Sequence, residues 1–247
     1  MRWLAALATT ALLAGCSAAP AQSPPTPTAT VTVFAASSLT KPLTELARTY
    51  EASHPGVTIR LSFGASSTLA QQVTEGASAD LLLTAGTTVL DRLPENYRGA
   101  ARTTVAHNVL AIATQSGNPH AITGLAGLAD PTLDVVLCAT TVPCGAAADT
   151  ILARAKVTPH VVSREVDVKA TLAKVSLGEA DAALVYHSDV VGSRGSVTGI
   201  DIPAALNVRL AYPLVQLTTT PAAAALATYL HGPDARAALT RAGFSPP

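Results

Sequence analysis

From about residue 31 onward, runs of strand length alternate with runs whose apolar residues recur at helical spacing, and this alternation restricts the fold more than any other feature. Residues 31–34 (VTVF) are β-rich, and Leu39, Leu43, Leu46, Ala47 and Tyr50 then share one helical face, with Pro42 tolerable in the first turn. His54-Pro55-Gly56 stops that helix, and Val57, Ile59, Leu61 and Phe63 alternate with polar residues as a half-buried strand does. The pattern continues with a helix over 67–75, a buried strand over 81–83, a short helix over 88–93, and strands over 109–113 and 135–137. A helix over 146–155, a strand near Val161, a helix over 168–177 and a strand over 182–186 follow. A late strand over 208–217 and two Ala-rich helices over 221–230 and 233–242 complete the chain. Such repetition predicts an α/β fold with mostly parallel sheets covered by helices on both faces.

The N-terminus sets the compartment. Arg2 precedes an apolar run over residues 3–14 that is long enough for a signal h-region and too short to span a bilayer. That run ends in Leu13-Ala14-Gly15-Cys16, which resembles the bacterial lipobox, where residues 1–15 are removed and Cys16 carries a lipid. Residues 17–30, SAAPAQSPPTPTAT, have no charge and no hydrophobic period, so 16–30 read as a lipidated Cys followed by a flexible tether. Removing those 30 residues from 247 leaves 217, which suit two lobes better than one compact core. The protein is expected on the extracytoplasmic face of the cell membrane, held by lipid.

Sixteen basic and sixteen acidic residues cancel, and neither sign forms a block, which argues against nucleic acid and against a polybasic membrane surface. With Cys16 given to lipid, Cys138 and Cys144 are an even pair in an oxidising compartment, and a disulfide is the expected state. Two buried free thiols stay open as the alternative; a two-Cys metal site has no His at the usual short spacing. The six His are scattered singly, and neither a cofactor nor a free metal cation is expected.

Chemistry concentrates where strands hand over to helices. Residues 34–39 read FAASSL and 63–69 read FGASSTL, so both place Ser at a helix start. A helix start has unbonded N–H groups and a partial positive charge, and binds anions without Lys or Arg. Ser at such a place is often only an N-cap. Two such segments, each with small residues that let a ligand come close, favour an anion site.

At these segments the sequence resembles the molybdate-binding periplasmic proteins, from residue 31 to 244. The motifs are VFAASSL, FGASSTLAQQ followed by GASADL, VPCG at 142–145, Asp167-Val168, and GEADAALVY ending at Tyr186. Each is weak alone; five in this order are specific. The resemblance implies a two-lobed type II periplasmic binding protein fold with the ligand in the interlobe cleft. Lobe one would comprise 31–105 plus 212–247, and lobe two 106–211. It further implies that Ser38 and Ser66 donate to molybdate or tungstate, that Cys144 and Val168 offer backbone N–H groups, and that Tyr186 offers its phenol. Ser37 stands where relatives often have Ala, and it and Ser67 are additional candidates; the Cys at the variable position of VPxG is a departure that puts the loop geometry in question. The implied partners are an ABC permease and its cytoplasmic ATPase, served by a monomer.

Rival readings are the same fold with sulfate or phosphate, a ligand-binding sensor, and more remotely a serine hydrolase using a Ser with His187 and Asp189. The hydrolase elbow G-x-S-x-G lacks its closing Gly at Thr68. Because several acyl chains hold a protein to a bilayer where one is marginal, the protein is expected in the membrane fraction. Cys16→Ala is expected to release it or block its maturation, as read by fractionation and mass spectrometry; an equally lipidated variant contradicts the assignment.

Overall fold

The computed structural model describes residues 29–247; the signal segment, Cys16 and the tether up to residue 28 lie outside the described residues. Strand β1 (Ala29–Ala36) opens the fold two residues before the apolar run begins, because the Ala29 N–H already bonds the Gly56 carbonyl at 3.0 Å beside β2 (Val57–Gly64). Between them α1 (Thr40–Ser53) buries Pro42, Leu43, Leu46, Ala47 and Tyr50, the face that the helical spacing predicts. It ends where His54 stacks on Tyr50 at 3.8 Å. Then come α2 (Ser66–Thr74) and β3 (Leu81–Leu83), whose three leucines are wholly buried at the sheet centre.

The order of the first sheet is β2-β1-β3-β10-β4, with β4 at Arg102–Asn108 and β10 at Leu210–Gln216. The second sheet runs β7-β6-β8-β5-β9. Its strands are β5 (Leu110–Gln115), β6 (Val135–Cys138), β7 (Val161–Glu165), β8 (Ala182–Tyr186) and β9 (Val197–Asp201). In each sheet the strands of the β-α units pair in parallel, while β10 and β5 enter antiparallel. The expectation of parallel pairing therefore holds for the β-α units and not for β10 and β5, the strands that begin where the chain passes from one sheet to the other. The helices are α3 (Glu95–Arg98), α4 (Pro143–Ala155), α5 (Val168–Ser176), α6 (His187–Gly192), α7 (Pro221–Leu230) and α8 (Pro233–Arg241).

Several elements lie outside the expected pattern, among them β4, β9, α6, the four-residue α3 and a 3-10 turn at Leu125–Ala129. β4 and β9 carry mixed burial over short lengths and so lack clean alternation, and α6 is only six residues long. The predicted helix over 88–93 is a 3-10 turn at Thr88–Arg92, cut short by Pro94. Helix α4 starts three residues before Ala146, because Pro143 occupies its first position, where a missing N–H costs nothing.

The chain crosses between sheets at β4–β5 and again at β9–β10, and Asn207 ties the two crossings together. Its Oδ1 accepts from the N–H of Leu110 (3.1 Å) and of Val208 (2.8 Å), and its Nδ2 donates to the Leu110 carbonyl (2.8 Å). The lobes also meet where the Lys41 Nζ on α1 donates to the Gly192 carbonyl at the end of α6.

Within the second lobe, Asp189 on α6 is fully buried and pairs with Lys169 on α5 at 2.6 Å, where the lysine is one-third exposed. Its Oδ2 also accepts from the Tyr186 N–H at 3.3 Å. Burial raises the Asp189 pKa, opposed by the charge and hydrogen bond of Lys169 and then by that N–H. A carboxyl raised in the folded state loses stability as pH climbs through its folded pKa, and Lys169 limits that loss. Lys169→Met is therefore expected to cost about 3 kcal/mol at neutral pH, the low end for breaking a buried pair, with a smaller deficit where Asp189 is protonated. Denaturant unfolding at about pH 7.5 and about pH 4.5 measures it; a deficit that does not change with pH contradicts the account.

Candidate functional site

Six parallel strand ends, those of β1, β2, β3, β6, β7 and β8, point at one small cavity between the sheets, of about 20 Å³. In open α/β sheets this end of the strands is where ligands bind. Four helix starts reach the same place. After β1, a 3-10 turn at Ser37–Leu39 runs directly into α1, and its preceding residue Ala36 offers no side-chain cap. Helix α2 follows Ala65, again uncapped; the first helical bond is from the Leu69 N–H to the Ala65 carbonyl, so the N–H of Ser66 precedes it. Helix α4 follows Val142 without a cap, and the Cys144 N–H lies between Pro143, which has none, and the Gly145 N–H, which is bonded to the Val142 carbonyl.

Helix α5 differs, because Asp167 caps it: its Oδ1 accepts from Lys169 (2.8 Å) and Ala170 (2.9 Å). Among the described residues nothing bonds the Val168 N–H, which sits at the first helical position beside the cavity. Ser37, Ser38, Ser66, Cys144, Val168 and Tyr186 all line the cavity. Ser67 does not: helix geometry turns the residue after Ser66 away, and Ser67 lines an outer groove with Gln71 and Val166. The lining contains no Lys or Arg, and its one carboxylate is the capping Asp167.

The hydroxyls are set by neighbours that sequence reasoning missed. Ser66 Oγ accepts from the Ala85 N–H just after β3 at 2.9 Å, so its own proton is free for the cavity. Ser38 Oγ lies 2.9 Å from the hydroxyl of Tyr212 on β10. The Tyr186 hydroxyl is buried and has no hydrogen-bond partner among the described residues. Burial, and after it the nearby Tyr212 and Asp189, raise its pKa well above the usual range, so it stays a neutral donor. An unpaired buried hydroxyl costs stability, and a cavity lined by free donors is one way that cost is recovered.

The loop that carries Cys144 is held tightly. A disulfide joins Cys138 at the end of β6 to Cys144 in the first turn of α4, with Cα atoms 5.8 Å apart, as expected for the even pair. A Cβ on Gly145 would lie 2.0 Å from the Ala139 carbonyl oxygen, so the glycine of VPCG is required by backbone approach. With the disulfide formed, Cys144 keeps its place in the first turn of α4 and in the cavity lining.

A larger cavity of about 670 Å³ runs along α1, α6 and α8, and Ser38 lies at its border with the small one. It is an open groove with Lys41, Arg48, Lys169, Arg194 and Arg241 against the single acid Glu45. Size alone would favour it, but converging strand ends and free N–H groups belong to the small cavity. The hydrolase arrangement is not assembled: His187 pairs with Asp201 at 3.6 Å, while Asp189 is committed to Lys169.

The profile of the bacterial extracellular solute-binding proteins matches residues 31–245. The molybdate-binding protein ModA of Mycobacterium tuberculosis is 36% identical over 264 residues, covering 100% of both chains. Among solved structures, the periplasmic molybdate-binding protein of Azotobacter vinelandii superposes with a TM-score of 0.76 at 19% identity, over 88% of this chain and 99% of that one. The sulfate-binding protein SubI of M. tuberculosis superposes with a TM-score of 0.77 at 19% identity, over 88% and 87%. At such identities the superpositions speak for the two-lobed type II fold, which a sulfate binder shares. Taken with the near-complete profile match and the full-length relative, they leave one assignment: this chain belongs to the bacterial extracellular solute-binding protein family.

Proposed function

We propose that the chain captures molybdate, with tungstate an equivalent ligand, in the small interlobe cavity and delivers it to an ABC importer in the membrane. Ser38 and Ser66 would donate through hydroxyl and backbone, Cys144 and Val168 through backbone N–H, and Tyr186 through its phenol, with Ser37 as a further donor. On this reading, lobe one takes residues 31–105 plus 212–247 and lobe two 106–211, and the protein acts as a monomer anchored through Cys16. Closure of the lobes on the anion would present a face that the permease reads.

One observation carries the proposal: four helix starts meet at a cavity whose lining offers donors and no positive side chain. A fully ionised tetrahedral dianion needs donors only, and charge-assisted bonds are stronger than neutral ones. Leaving Lys and Arg out avoids burying an unpaired charge in the empty site. The names of relatives point the same way, since the full-length relative at 36% identity is a molybdate-binding protein.

Donor counting also orders the ligands. Hydrogen phosphate carries a proton that needs an acceptor, and the one carboxylate in the lining, Asp167, turns one of its two oxygens to the start of α5 and so has only Oδ2 for that proton. Sulfate has no proton, but its shorter bonds cannot reach every donor of a cage fitted to the larger anion. Each donor left unpaired costs about 1–3 kcal/mol, roughly fivefold to a hundredfold in affinity. Calorimetry on the full chain in detergent should show molybdate and tungstate binding alike, sulfate much more weakly and phosphate least. Tyr186→Phe removes a hydroxyl with no hydrogen-bond partner among the described residues, so it should weaken molybdate by about 1–3 kcal/mol with little change in unfolding. Ser66→Ala should weaken binding and also cost some stability, because the Ala85 N–H loses its acceptor. Phosphate bound as tightly as molybdate, or undiminished binding in both variants, would refute the site.

A further inference from the structure

Tyr212 lies behind the cavity, outside its lining, yet its hydroxyl is 2.9 Å from that of Ser38. It is wholly buried on β10, one residue before Pro213, where the pairing with β4 shifts register. Its ring packs edge-on against Phe244 (5.1 Å) and Tyr186 (6.1 Å). Burial raises its pKa beyond the usual tyrosine range, so the phenol holds its proton at every working pH.

A buried phenol with an acceptor in reach gives its proton to it. The Tyr186 hydroxyl makes no hydrogen bond to a described residue, so it does not take this proton. Among the described residues the Tyr212 hydroxyl makes one hydrogen bond, with Ser38 Oγ, and nearby Asn108 offers no open acceptor: its side-chain carbonyl already accepts from the Val109 N–H at 3.0 Å, and its amide donates to Ser188 Oγ at 2.8 Å. Ser38 Oγ is then the acceptor left for Tyr212. Once its oxygen is engaged from behind, Ser38 directs its own proton forward into the cavity. Ser66 is held the same way by a different group, the Ala85 N–H.

We propose that Tyr212 is a positioning residue that donates to Ser38, aims the Ser38 proton at the bound oxyanion, and so removes Ser38 as an acceptor for a proton on the ligand. The inference rests on the cavity being an oxyanion site. It assigns discrimination against protonated oxyanions in part to a residue that never touches the ligand. Without the Tyr212 hydroxyl, Ser38 is free to turn: it donates less well to a dianion and can accept from hydrogen phosphate.

The test compares the full chain, Tyr212→Phe, Ser38→Ala and the double variant by calorimetry with molybdate and by phosphate competition at neutral pH. Tyr212→Phe keeps both ring contacts and should unfold near the wild-type midpoint while binding molybdate about tenfold more weakly. Its preference for molybdate over hydrogen phosphate should shrink by more than the wild-type experimental error, because phosphate does not lose as much. In the Ser38→Ala background the same substitution should change molybdate affinity by less than about twofold, since the two act through one bond. That last comparison also decides the matter if the single variant does not fold. Wild-type protein that fails to bind molybdate overturns the oxyanion reading and this one with it. Wild-type protein that binds, with Tyr212→Phe costing the same factor for both anions or the same factor with and without Ser38, overturns this inference alone.

Discussion

The N–H groups at the start of a helix have no carbonyl four residues behind them, and a helix that starts deep between two lobes cannot hand them to bulk water. Four such starts meet here because the β-α order sends every parallel strand of both sheets to the same edge before turning into a helix. Three of the four follow Ala36, Ala65 and Val142, side chains that cannot cap. A chain that left those positions uncapped without a ligand would carry a standing cost in unsatisfied donors. The small residues around them, the buried hydroxyls and the absence of cationic side chains are consistent with one answer to that cost, a bound anion that accepts from all of them.

The supports of the site follow from the need to keep those donors in place across two bodies. The Cys138–Cys144 bridge and the close approach of Gly145 to the Ala139 carbonyl fix the start of α4 against the end of β6. Asp167 fixes α5 and leaves the Val168 N–H exposed to the cavity. Asn207 joins the two crossings through its bonds to Leu110 and Val208, which fixes the connecting segments against each other. Lys41 bonding the Gly192 carbonyl adds a contact that exists only while the lobes are together, at the edge of the cationic groove.

Much of this was legible in the residues because helix and strand periods are local. The buried face of α1, the all-leucine β3 and the bounds of β8 and α7 follow from spacing, Pro and Gly. Ser38, Ser66, Cys144, Val168 and Tyr186 are far apart in sequence and were brought together by resemblance to a known family; their gathering at one cavity is a tertiary fact. What stayed hidden has a common reason. β4 and β9 lack alternation because edge strands are only partly buried, and the antiparallel entry of β5 and β10 depends on where the chain changes sheets. Ser67 is chemically like Ser66 but sits on the wrong side of the helix. Tyr212 and Ala85 act through contacts across 174 and 19 residues, and no local motif marks them.

The central claim is that a tetrahedral oxyanion is held by backbone and hydroxyl donors at converging helix starts, and amide proton chemical shifts report on such bonds directly. Titrating isotope-labelled full chain with molybdate should move the amide protons of Ser38, Ser66, Cys144 and Val168 downfield, since each gains a charge-assisted acceptor. The amides around Lys41, Arg48 and Arg194 should change far less. Unmoved signals at the four helix starts, with the changes gathered along the cationic groove instead, would contradict the account.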